Sequence, residues 1–154
     1  MSIIVRDALL HFAHFTCIFL LGSFLAGEIV LLRKSLPSSR IMQLQLIDRW
    51  YGILAGLVIV TGLALVFLGA KGASYYAHNA IFWTKMALFV IIALISIVPT
   101  VAFLRWNQRL AADGSIVLDD SEYGRLRSML WLQVGLFALL PLCAALMANG
   151  LSAW

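Results

Sequence analysis

Two histidines and a cysteine recur at every third residue of the stretch HFAHFTC, as His11, His14 and Cys17. On a helix, residues three apart are neighbours on one face, about 4.5 Å apart along the axis. An imidazole nitrogen can ligate haem iron, copper or zinc, and a thiolate suits the softer of these ions. Glu28 and Lys85 also interrupt apolar runs, and His78 lies just before one. An ionisable group inside a membrane span costs roughly 2.5–3.5 kcal/mol on insertion scales, so each is a functional candidate. The plainer alternatives are a histidine bonded to a neighbouring hydroxyl and a lysine that snorkels to the interface.

The elements that hold these residues follow from composition. Of 154 residues, 63% are hydrophobic and only 12% charged, and the mean hydropathy is +0.99. Soluble domains carry about 25% charged residues, so the chain reads as one integral membrane domain. Four runs reach the length of a span, about 20 apolar residues: 8–32, 51–68, 81–104 and 130–147. All are expected to be helices, because lipid cannot satisfy an open backbone. The expected fold is an all-α bundle of four transmembrane helices.

The connections are short. Residues 33–50 contain a Pro-Ser-Ser turn followed by a stretch expected to form a short amphipathic helix at the interface. Residues 69–80 hold the pair Tyr75 and Tyr76, and residues 105–127 carry an Asp-Gly turn and the acidic cluster Asp119, Asp120 and Glu122. Arg33, Lys34, Arg40, Arg49, Arg105, Arg109, Arg125 and Arg127 occupy the first and third connections. Only Arg6 and Lys71 occupy the N-terminus and the second. By the positive-inside rule both termini face outward, toward the periplasm if the protein sits in a bacterial inner membrane. Trp50, Trp83, Trp106 and Trp131 fall near span ends, where interfacial aromatics collect. The net charge of +4 is thereby explained as topology, and nucleic acid is not an expected partner. Cys17 and Cys143 both lie in apolar runs, as packing thiols do.

This topology puts His11, His14, His78 and Lys85 in one outer layer, with His78 and Lys85 one heptad apart on a shared face if the third span begins before residue 81. Glu28 lies near the inner end of the first span, roughly 20 Å from His14; an ion pair with Arg33, Arg49 or Arg105 is expected, with a proton-input role as the alternative. Gly22, Gly27 and the pair Gly52 and Gly56 are expected to permit close helix approach, and a homodimer is compatible with such faces. Pro99 and Pro141 are expected to bend their spans. Imidazoles on facing helices suit a haem b iron. His11 or His14 would supply one axial ligand and His78 or Lys85 the other. Tyr75, Tyr76, Arg6 and Lys71 would meet the propionates. Copper or zinc on His11, His14, Cys17 and His78 is the second reading, and a cofactor-free assembly protein the third. No phosphate loop, Ser-His-Asp set or intramembrane carboxylate pair is evident in the sequence.

The segments ALLHFAHF, LIDRWYGILAGLVIVTGL, KGASYYAHNAIFWTKMALF and SIVPTVAFLRW resemble a family of predicted bacterial membrane proteins of unknown function, over nearly the whole chain. More distantly, LLH in the first span, FWTKMALF, FLRWNQRL and EYGRLRSML are similar to HemJ-type protoporphyrinogen oxidases. That resemblance implies a haem b protein in which His11 matches the first-helix histidine and Lys85 the lysine of the later motif. It also suggests a quinone or porphyrin as redox partner. The chain differs in having Trp83 and Thr84 where the second motif carries a histidine, and AGEIVLLRK where those oxidases have an arginine and a histidine.

Overall fold

The computed structural model describes residues 2–110 and 114–149. Helix α1 spans Ile3–Leu31, α2 Ser38–Leu68, α3 Gly72–Ala77, α4 Ala80–Trp106 and α5 Asp120–Ala148. Strand β1 is Ser35–Pro37, β2 is Ser115–Val117, and a 3-10 turn covers Asn107–Arg109. Four of the helices are long and apolar enough to cross a membrane, which bears out the expected bundle.

Local chemistry sets the helix ends. Ser2 Oγ accepts the Val5 amide at the start of α1. The Asn79 side chain accepts the amides of Ile81 and Phe82 and so starts α4. Asp119 accepts the Glu122 amide at the start of α5. Each cap satisfies amides that a helix start leaves without an internal partner.

Several boundaries differ from those expected. Residues 38–50 form no separate interfacial helix: α2 runs unbroken for 31 residues, about 46 Å at 1.5 Å per residue. Arg40, Asp48 and Arg49 break the apolar pattern without breaking the helix. Ile41 and Leu44 are buried there while Met42 and Leu46 are exposed. The two basic connections pair as a short antiparallel ribbon, Ser35 opposite Val117 and Leu36 opposite Ile116. Gly114 has φ of +72° at the entry to β2, and its carbonyl accepts the Ser38 amide. Its expected turn partner, Asp113, lies outside the described residues.

Helices α1 and α2 pair as one hairpin and α4 and α5 as another, with further contacts from α1 to α5 and from α2 to α4. At one end the termini approach the 69–79 connection: the Ala70 amide donates to Asp7 and the Tyr75 hydroxyl to the Met147 carbonyl. The ribbon marks the opposite end. A continuous core extends from Leu36, Ile116, Phe103 and Trp106 up to Leu21 and Val58. Trp106 is fully buried and donates to Glu122, so it is not an interfacial aromatic, whereas Trp50, Trp83 and Trp131 are exposed. Close helix approach is made at Gly22 against Phe137 and at Gly27 against Ile47, whereas a Cβ at Gly52 or Gly56 would meet nothing within 4 Å. Among the described residues, the GxxxG pair thus brings no helix into close approach.

Candidate functional site

The outer layer begins on α1. His11 Nδ1 lies 2.9 Å from the carbonyl of Asp7, one turn earlier, and 3.4 Å from its carboxylate. His14 points across to α2, where its Nδ1 meets Thr61 Oγ1 at 2.9 Å. Glycine at position 62 makes room for it, since a Cβ there would stand 3.3 Å from His14 Cε1. Lys85 of α4 and His11 are both within electrostatic reach of His14, and Cys143 of α5 is within reach of Lys85. The level just beyond the continuous core is thus furnished with polar side chains on α1, α2 and α4.

The hydrogen bonds define which ring nitrogen carries the proton. A carbonyl oxygen only accepts, so His11 Nδ1 must donate to Asp7. The Thr61 hydroxyl gives its one hydrogen to the backbone carbonyls of Leu57, at 2.7 Å, and Val58, at 3.2 Å. It can therefore only accept from His14 Nδ1. The His78 Nδ1 likewise donates to Ser74 O at 2.8 Å. With Nδ1 as the donor, the neutral form of each ring has its lone pair on Nε2, the arrangement found in metal-bound histidines whose other nitrogen is held by an oriented acceptor.

His78 is exposed at the C-terminal cap of α3. Asn79 separates it from α4, so His78 and Lys85 do not share one helix face. Tyr76 is buried, its ring edge-on to Tyr75 at 5.3 Å. Burial pushes its phenol above the ordinary value, and Asp7 and Tyr75 act in the same direction. Lys71 lies over the Tyr75 ring at 4.6 Å. Cys17 packs against the core. Among the described residues no three His, Cys, Asp or Glu side chains gather as ligands for one ion.

A second polar cluster, not anticipated as such, occupies the ribbon end. Glu28 forms no ion pair with Arg33, Arg49 or Arg105 among the described residues. It is 2% exposed and its Oε1 has no hydrogen-bond partner. Its charged neighbour is Asp48 of α2, itself buried and accepting from Thr100 of α4 at 2.7 Å. Tyr51 donates to Gln133 of α5 at 3.3 Å, and the fully buried Gln133 keeps an unpartnered Nε2. A cavity of about 230 Å³ between α2 and α4 reaches Asp48, Tyr51 and Thr100. In the sequence, Asp48 stood beside Arg49 and read as part of a solvated connection. The extension of α2 is what carries it into the bundle.

Four apolar spans, closed at one end by a strand ribbon and carrying polar groups in their interior, define a multi-pass integral membrane protein. The chain belongs to the family described as "Predicted membrane protein (DUF2214)", which matches residues 6–152. No curated protein and no solved structure matches it. The similarity to HemJ-type oxidases therefore rests on the sequence motifs alone.

Proposed function

We propose that the protein is a membrane haem b carrier with a redox role, its haem held at the outer end of the bundle. His14 is the residue that would hold the iron, because Thr61 accepts its Nδ1–H and the neutral ring then keeps a lone pair on Nε2. That single arrangement carries the reading. His11 has the same tautomer but bonds only within its own helix. Lys85, within electrostatic reach of His14, is the candidate on the opposite helix. Exposed His78 suits a peripheral role. Tyr75 and Lys71 are available to propionates at the surface. Bound haem would supply one-electron chemistry, with a quinone or porphyrin as exchange partner. The charge asymmetry supports a bacterial inner membrane location with this end outward.

A haem needs only one or two axial ligands, whereas the copper or zinc reading needs His11, His14, Cys17 and His78 on one ion. The outward position of His78 and the packing of Cys17 favour the former. The test is a reduced-minus-oxidised spectrum of protein purified after expression with haem supply. A Soret and α-band lost in His14→Ala is the expected result. Colourless wild-type protein, or a spectrum unchanged in both His11→Ala and His14→Ala, would overturn the proposal.

A further inference from the structure

The chain has seven acidic residues, and among the described ones Glu28 and Asp48 are those that the bundle buries. They come from antiparallel helices and feel each other's charge. The elements packed around them contribute the following charged and polar groups. From α2 come Arg49, exposed at the cavity wall, and the hydroxyl of Tyr51. From α4 comes Thr100, and from α5 Gln133. Among the described residues neither carboxyl takes part in an ion pair; those present join Asp7, Asp120 and Glu122 to His11, Lys34 and Arg109. Two negative charges cannot be held side by side in an apolar interior without a compensating positive charge.

We infer that Glu28 and Asp48 together hold one exchangeable proton, loaded through the cavity between α2 and α4. Glu28 Oε1, buried and unpartnered, is the deep end of the site. Asp48 is the shallow end, with Thr100 on its Oδ1 and the cavity beside it. The cavity has room for several waters, each of which needs polar partners; Asp48, Tyr51, Ser96 and Thr100 provide them. The pair thus rests as one neutral acid and one carboxylate. In exchange the bound proton passes to a cavity water while a proton of that water is taken up by a carboxylate oxygen, so the pair never carries two uncompensated charges. This inference does not depend on haem at the other end.

Infrared spectroscopy of the full-length protein in lipid vesicles tests it. At neutral pH the wild type should show the carbonyl stretch of a protonated carboxyl. That band should shift on transfer to D₂O without unfolding, and should be lost or displaced in both Glu28→Gln and Asp48→Asn. Three results would overturn the inference. One is the absence of the band from the wild type, and another its persistence unchanged in both variants. The third is a band that emerges only when sodium and potassium are replaced by a bulky organic cation, which would assign the charge to a metal ion. Failure to exchange in D₂O over hours would likewise reject loading through the cavity.

Discussion

Thr61→Val isolates the bond that gives His14 its orientation. Valine keeps the β-branched shape and removes the hydroxyl that accepts from His14 Nδ1 at 2.9 Å. A partly buried donor left without a partner costs about 1–3 kcal/mol. Loss of an oriented outer partner weakens a metal-bound histidine by about 10–100-fold, or roughly 1.4–2.8 kcal/mol at 1.4 kcal/mol per decade. The two routes agree. Thr61 also bonds the Leu57 and Val58 carbonyls, a loss common to both backgrounds of a double-mutant cycle with His14→Ala. Reversible unfolding of the haem-free protein in mixed detergent should therefore show coupling of about 0.5–3 kcal/mol between the two changes. Haem titration should show about 10–100-fold weaker binding by Thr61→Val, with Thr61→Ser close to wild type. Additivity within about 0.3–0.5 kcal/mol would refute the geometry, and unaltered haem affinity would refute His14 as ligand.

Gly22→Ala places a Cβ 2.9 Å from Phe137 Cε1 and should cost about 1–3 kcal/mol in the same unfolding assay. Gly56→Ala, with open space around it, should stay within about 0.5 kcal/mol, and Phe137→Leu should relieve the Gly22→Ala defect. Leu36→Ala empties a fully buried position in the ribbon and should cost about 2–5 kcal/mol; a loss no greater than that for exposed Leu46→Ala would show that the ribbon does not hold the hairpins. The Glu122 amide, first, and then the Ser121 hydroxyl hold the Asp119 carboxyl below its usual range. Its contribution is thus complete above the unfolded value near 3.9 and fades as pH falls through the lower folded value. Thermal melts should show this acid-range loss in the wild type and not in Asp119→Asn, which keeps a capping oxygen.

The four spans were legible because each is a long apolar run, and the histidine row because helical spacing alone aligns it. What escaped had a physical reason in each case. The start of α2 was hidden by Arg40, Asp48 and Arg49, whose charges resemble a loop. They are accommodated because the helix outreaches the apolar layer and turns Arg49 outward while burying Asp48. Glu28 looked like half of an ion pair because arginines surround it in sequence; helix rotation gave it a carboxyl neighbour instead. The break between His78 and Lys85 depends on one capping side chain, Asn79, easily missed between two helix-compatible stretches. The ribbon joins segments far apart in the chain, a pairing that no local pattern announces.

That pairing has a consequence for how the protein is made. Leu36 and Ile116 are separated by roughly 80 residues, which a ribosome adding about 5–20 residues per second supplies in roughly 4–16 s. During that interval the first hairpin occupies the bilayer with Leu36 bare and Glu28 and Asp48 lacking the walls that α4 and α5 provide. The nascent chain therefore passes through a two-span state with an uncovered polar seam. The pairing of Ser35–Pro37 with Ser115–Val117 is thus among the last contacts the chain can make.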